Sequence, residues 1–347
     1  MNLIKYTIRR LLVMIPVLIT VLTITFILSR LMPGDPVIAL LRSQGLRPRG
    51  QEFPIEFYLQ AKKQLGLDKP ILIQYFMYLR DLFSGNWGVS VVISCNEPVW
   101  NLIMEKLPRT IDLTIFSMIL ASFFGIKAGI ISATNKDESK DTIIRSITLI
   151  GVAIPAFFLA ILLQYIFSIQ FPLFDPTGYR SIHIEDPPSI TSFYIIDAFL
   201  VGEWYKIGDY VWHLLLPVCC LSFIIFASIA RQTRGSMLDE FPKDYIRTAR
   251  AKGCKNKDVI NSHVLRNALI PTVTIIGLNF AGLLSGAIFT EIIFDLDGIG
   301  QLLINAIDLR DYWVISALIF LITFMFIIIN LLTDIIYAGL DPRIRYR

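Results

Sequence analysis

The chain has 347 residues, of which 54% are hydrophobic and 17% charged, with a formal net charge of +4 and a mean hydropathy of +0.61. One soluble core of this length does not need so many apolar residues, so lipid is the expected solvent; so mild a charge gives no reason to expect a nucleic-acid partner. The four cysteines, Cys95, Cys219, Cys220 and Cys254, show no C-x-x-C spacing and no neighbouring histidine pattern, so no metal site is expected.

The first apolar run, Leu11 to Ser29, follows Lys5, Arg9 and Arg10 and precedes Arg30. It is too long for the apolar part of a signal peptide, and no small-x-small cleavage site follows, so it reads as a retained span. From Arg30 to Arg109 the chain is mixed in charge, with short amphipathic stretches at Phe57 to Gln64 and Gln74 to Phe83. A small outward-facing subdomain of unspecified fold is expected there. Five further runs have the length and apolarity of membrane helices: Thr110 to Ala133, Ser146 to Phe171, Val211 to Ala230, Ile270 to Thr290 and Tyr312 to Tyr337.

Cytoplasmic loops carry the excess of Lys and Arg. The N-terminus is basic, as is the tail with Arg343, Arg345 and Arg347. After the fourth span, Arg231, Arg234, Lys243, Arg247, Arg250, Lys252, Lys255, Lys257 and Arg266 outweigh Asp239, Glu240, Asp244 and Asp258. The segments Pro172 to Tyr210 and Glu291 to Asp311 are acidic. The expectation is an all-α integral membrane protein with six transmembrane helices and both termini cytoplasmic. It divides into 1–30 (tail and first helix), 31–109 (extracytoplasmic), 110–338 (a five-helix core with a cytoplasmic loop at 231–268) and 339–347 (cytoplasmic tail).

The informative loop reads Asp244-Tyr-Ile-Arg-Thr-Ala-Arg-Ala-Lys-Gly253 and runs on to Pro271. Pro242 suits a helix start, Tyr245, Ile246 and Ala249 share a helical face, and Gly253 is a stop; a second helix from about Asp258 leads into the fifth span. By composition alone this is an ordinary basic loop. Arg247-Thr-Ala-Arg-Ala-Lys-Gly253, however, resembles the EAA loop of ABC importer permeases, in the variant of the dipeptide, oligopeptide and nickel family. Arg247 stands for the leading glutamate of the general pattern and Thr248 for its first alanine, while Ala249 and Gly253 match.

The resemblance extends over nearly the whole chain and is to the B-type permease subunit. It includes Pro33-Gly34-Asp35-Pro36, Leu65-Gly-Leu-Asp-Lys-Pro70, Gly85-Asn-Trp-Gly-Val-Ser90, Arg231-Gln-Thr-Arg-Gly-Ser-Met-Leu238, Glu291-Ile-Ile-Phe294, Gly298-Ile-Gly300 and Asp341-Pro-Arg-Ile-Arg345. It implies a type I ABC importer permease fold in the cell membrane. The implied partners are a homologous C-type permease, two ABC ATPases and an extracytoplasmic substrate-binding protein, with peptide the first substrate class and nickel, glutathione or oligosaccharide the others. Tyr245, Arg247, Thr248, Ala249, Arg250, Ala251, Lys252 and Gly253 would then dock on the ATPase.

Several polar and turn residues have two readings each. Gln164 and Asn279 line a pathway or hydrogen-bond a neighbouring helix. Asn330 and Asp334 suit packing or capping. Pro155 and Pro217 break spans three and four, either freeing carbonyls to line a pathway or kinking the helix for packing. Glu291, Phe294, Gly298 and Gly300 either touch the docked binding protein or orient the next helix. No phosphate loop of the G-x-x-x-x-G-K-[ST] type, no H-E-x-x-H and no G-x-S-x-G occurs, so no catalytic residue and no cofactor is expected on this chain, and ATP and Mg would belong to partner subunits. The alternative is a secondary transporter driven by an ion gradient. It would favour paired acids deep in the spans and a repeated half, and neither is read here.

Overall fold

In the computed structural model, residues 3–31, 35–46, 53–94 and 97–340 are described; the expectations on Pro33, Gly34, Cys95 and the tail from Asp341 to Arg347 lie outside them. All the regular elements among these residues are helices. The first is α1 (Leu3–Leu31), followed by three short helices, α2 (Pro36–Ser43), α3 (Ile55–Gln64) and α4 (Ile71–Phe83). Then come α5 (Val99–Thr134), α6 (Ser139–Ala153), α7 (Ala156–Gln164) with a π-helical turn Tyr165–Gln170, α8 (Tyr194–Val201) and α9 (Trp204–Glu240). The chain closes with α10 (Asp244–Ala251), α11 (Asn256–Asp258), a π-helical turn Val259–Val264, α12 (Leu265–Gly286), α13 (Ile288–Phe294), α14 (Ile299–Leu309) and α15 (Tyr312–Leu340).

Five stretches are long and apolar enough to cross a bilayer, and the pair α6 and α7 makes a sixth crossing when counted as one bent span. The second and fourth spans differ from the sequence expectation, while the third breaks at Pro155 as expected. The second begins at Val99, behind Pro98, and carries Pro108 inside the helix instead of starting at Thr110. The third is two helices bent by 103° at Ile154 and Pro155. Pro155 cannot donate the amide hydrogen that would continue α6, so the chain turns there. The fourth does not break: Pro217 lies inside the unbroken α9, buried among the residues of its core face.

α5 and α9 form the central pair and run parallel, in contact along much of their length, with Asp112 beside Tyr210, Gly125 beside Ile229 and Gly129 beside Thr233. Gly125 and Gly129, four residues apart on one face of α5, let the backbones approach. A Cβ on Gly129 would lie 2.5 Å from Thr233 Cβ and 2.8 Å from the Ala230 carbonyl oxygen, and one on Gly125 would lie 2.9 Å from Ile229 Cβ. α6 packs on both α9 and α5, α12 packs on both α9 and α15, and α1 runs antiparallel to α15. Near the start of α1, Arg10 Nε lies 3.3 Å from the Asp334 carboxylate of α15, which settles the packing role of Asp334.

Two large apolar clusters fill the span region. One joins α5, α7, α9 and α13 around the fully buried Tyr210, and the other joins α1, α14 and α15 around Leu22, Ile103 and Leu318. A third, small cluster lies at the end of the molecule that carries α10, and a fourth holds α2 and α3 together at the opposite end.

The close seam gives a direct expectation. Gly129→Ala should lower the thermal unfolding midpoint of the detergent-purified chain, because overpacking at a tight contact costs about 1–3 kcal/mol. Gly208→Ala in α9, where a Cβ meets nothing within 4 Å, should leave the midpoint unchanged or raise it slightly.

Candidate functional site

α9 has 37 residues, about 55 Å at 1.5 Å per residue, and so outruns a hydrocarbon core of about 30 Å. Its last turns and the start of α11 frame α10. The short helix is keyed to this frame by Ile246 and Ala249, which are 0% and 5% exposed and pack with Ala133, Met237, Val259, Val264 and Ala268. The C-terminus is closed as a Schellman motif: Gly253 N donates to Arg250 O at 3.0 Å and Cys254 N to Ala249 O at 3.3 Å. Gly253 has φ +79°, a conformation that costs glycine nothing.

Arg247, Thr248, Arg250, Ala251, Lys252 and Gly253 are exposed. Two of the residues read from sequence as one surface therefore part company from it. Ala249 faces inward and anchors the helix. Tyr245 is exposed along its ring but tied down at its hydroxyl, which donates to Glu240 and accepts from Asn267 Nδ2 at 2.9 Å. Burial, together with the bond to Glu240, raises the Tyr245 hydroxyl's pKa above its ordinary value. α11, the π-helical turn and α12 run on as one helical stretch past Pro271, so that only the turn Lys252 to Lys255 separates α10 from a membrane helix.

Beside α10, the α5–α6 turn is clamped to α9. Arg234 Nε and Nη2 each donate to one oxygen of the fully buried Asp141 at 2.8 Å; Ser132 Oγ also donates to that carboxylate, as does Asp137 N at 3.1 Å. This bidentate pair is a contact the sequence reading missed, because Asp141 ends the charged run Asn135-Lys-Asp-Glu-Ser-Lys-Asp141, which reads as an ordinary polar turn.

At the other end of the molecule, Glu291, Phe294, Gly298 and Gly300 are all buried. In this conformation they do not present a docking surface, and that reading is corrected. Glu291 accepts from Thr110 Oγ1 at 2.7 Å, from Gly300 N at 2.8 Å and from Gln301 N at 3.1 Å, so its carboxylate caps α14 and ties it to α5. A Cβ on Gly298 would lie 2.4 Å from the Glu291 carboxyl carbon, which explains the glycine. Burial raises the pKa of the Glu291 carboxyl, and the three hydrogen bonds oppose that shift. Next to it, Asp297 receives Lys106 Nζ at 2.5 Å and Arg109 Nη1 at 2.6 Å.

Neither pathway candidate has a free amide nitrogen. Gln164 Nε2 donates to Pro176 O at 2.7 Å and Ile293 O at 2.9 Å, while Asn279 Nδ2 donates to Ser228 Oγ at 3.0 Å and Ile275 O at 2.9 Å. Within α5 and α9, Tyr210 Oη donates to Asp112 Oδ2 at 3.0 Å, a second buried carboxylate contact that the sequence reading did not single out.

Comparison with known proteins gives a consistent result. The family model for the binding-protein-dependent transport system inner membrane component matches residues 125–346, and that for the N-terminal part of such membrane components matches residues 3–114. A dipeptide transport system permease protein of Alkalihalophilus pseudofirmus is 40% identical over 344 residues, 98% of this chain and 99% of that protein. A di/tripeptide transport system permease protein of Pseudomonas aeruginosa is 38% identical over 339 residues, 98% of each. A glutathione transport system permease protein of Escherichia coli is 36% identical over 344 residues, 99% of each.

Two substitutions test the geometry. Glu291→Ala should speed hydrogen exchange at the Gly300 and Gln301 amides by tenfold or more, since a hydrogen bond to a charged acceptor contributes about 1.5–3 kcal/mol. Asp141→Asn and Arg234→Ala should each lower the unfolding midpoint of the purified chain, and the double variant should lose less than the two losses added, because each single change strands the other partner's charge.

Proposed function

Because the chain belongs to the family of binding-protein-dependent transport system inner membrane components, and resembles its B-type peptide permeases along its full length, we propose that it is one permease subunit of an ATP-driven peptide importer. It is a multi-pass membrane protein. In the proposed complex it lines the pathway together with a homologous C-type permease, receives peptide from an extracytoplasmic binding protein, and leaves ATP and Mg to two separate ATPase subunits. Both termini and α10 lie on the cytoplasmic side, where the sequence concentrates its Lys and Arg.

One observation carries the coupling step. α10 is a rigid, basic, exposed helix whose only apolar anchors, Ile246 and Ala249, are set into the bases of α9 and α11–α12. An ATPase that closes on nucleotide pulls on Arg247, Thr248 and Arg250, and the displacement passes through that anchor into two spans at once. Differential binding of nucleotide to the open and closed ATPase supplies the free energy for the shift. Peptide is the substrate class because the dipeptide and di/tripeptide permeases match along the whole chain.

The test uses the exposed face and leaves the anchor alone. Tagged wild-type chain, expressed in its native membrane and solubilised gently, should co-purify with ATPase polypeptides and a second permease. Arg247→Glu with Arg250→Glu should lose the ATPases at least tenfold while keeping the second permease. A well-folded wild-type chain that brings down no ATPase would sink the importer reading.

A further inference from the structure

α4 is where a water-exposed subdomain is expected, yet it lies across two membrane helices. Tyr75 Oη is 2.7 Å from Thr23 Oγ1 of α1, Tyr78 packs at 5.5 Å on Phe26, and Phe83 meets Phe320 of α15 edge-on at 5.7 Å. Thr23 and Phe320 each sit about 12 Å along their helices from the span ends at Leu31 and Tyr312, at 1.5 Å per residue. α4 thus crosses the α1–α15 pair at one depth, below the level at which both spans end. Its inward face is Tyr75, Tyr78, Leu79 and Leu82. Its outward face is also apolar: Leu72 and Phe76 are 69% and 66% exposed. Large exposed apolar faces of this kind mark an interaction surface, and an amphipathic helix at this depth sits at the boundary of headgroups and acyl chains.

The same junction encloses a cleft of about 800 Å³, counting its open mouth, between α1, α4 and the start of α15. Leu67, Met77 and Trp313 line its apolar part. Arg30 and Arg310 also line it, and among the described residues neither has a carboxylate within 4.0 Å. Asp81, on the same wall, is held by Arg80 at 2.7 Å. The buried Tyr78 hydroxyl, beside Ser316, has no hydrogen-bond partner of good geometry.

We propose that this cleft holds the headgroup of an acidic phospholipid, with α4 lying in that same leaflet, the one at the end of the molecule opposite α10. Two guanidiniums that meet no carboxylate among the described residues, Arg310 and Arg30 (the latter over the Phe26 ring at 5.1 Å), and the Tyr78 hydroxyl suit a phosphate ester. The apolar lining and the outward face of α4 suit its acyl chains. The position, against helices that themselves meet lipid, selects a bilayer component over a soluble anion. The inference is independent of the transport reading.

The full-length chain in detergent would be offered phosphatidylglycerol, phosphatidylcholine or glycerol 1-phosphate at equal concentration and examined by native mass spectrometry. Phosphatidylglycerol should be retained at least tenfold over phosphatidylcholine. Arg30→Gln with Arg310→Gln should bring it down to the phosphatidylcholine level, and glycerol 1-phosphate should not be retained. Equal retention of the two lipids, or a double variant that still holds phosphatidylglycerol, overturns the proposal; retention of glycerol 1-phosphate overturns the choice of a lipid over a soluble phosphate ester. A second readout does not depend on the arginine variants. A fluorophore on Phe76→Cys, with the native cysteines replaced by alanine and the chain in liposomes, should be quenched by brominated lipid. Quenching by aqueous iodide alone would place α4 in water and overturn the proposal.

Discussion

The close packing of α5 on α9 is the constraint on which the rest of the molecule depends. Gly125 and Gly129 remove the side chains that would hold the two backbones apart. In lipid no hydrophobic drive brings helices together, so contact area and interhelical hydrogen bonds must do it. The pair is pinned at two further points by buried carboxylates: Asp112 to Tyr210 in the half away from α10 and Asp141 to Arg234 at the end beside it. Each carboxylate reaches from one helix, or the turn it leads into, to a donor on α9. The result is a rigid post with few ways to flex along its length.

Both ends of that post carry the working parts. At the base, α9 projects past the bilayer and presents α10, while Arg234 holds the α5–α6 turn beside it. α10 is thereby packed on the base of α9 beside the turn joining α5 to α6, and through α11 it is joined to α12. At the other end, Thr110 of α5 and the amides of α14 share the Glu291 carboxylate, and Arg109 and Lys106 share Asp297. The acidic turn between α12 and α15 is thereby fastened to α5. Helices and charged clamps, rather than loops alone, thus connect the two ends.

The region between α1 and α5 is built differently. α2 and α3 share a small apolar cluster, but α4 packs against α1 and α15. Asp311, which precedes α15, accepts from Ser90 Oγ at 2.7 Å and from Val91 N and Val92 N at 2.9 Å, so the loop after α4 is fixed to the start of the last span. The region is thus an annex of the α1–α15 pair, and its apolar helix face is explained by the solvent that those two helices meet.

The amino-acid sequence by itself determined the solvent, the number of crossings and the family. Runs of about twenty apolar residues can only be buried in lipid, and the order of short motifs from Arg9 to Asp341 is too specific for chance. It also located α10 and its stop at Gly253, since glycine tolerates positive φ and the helical spacing of Ile246 and Ala249 is visible in one dimension. The tertiary structure alone decided which residues of that loop anchor and which are exposed, because Ala249 turns inward only when Val259 and Val264 are there to meet it. It also chose the turn over the surface reading of Glu291 and its glycines, left Pro217 within an unbroken helix where a break was expected, and paired Asp141 with Arg234. These outcomes depend on groups far apart in sequence, Thr110 with Glu291 or Asp141 with Arg234. Periodicity and composition record what each segment buries, but not which partner it is buried against.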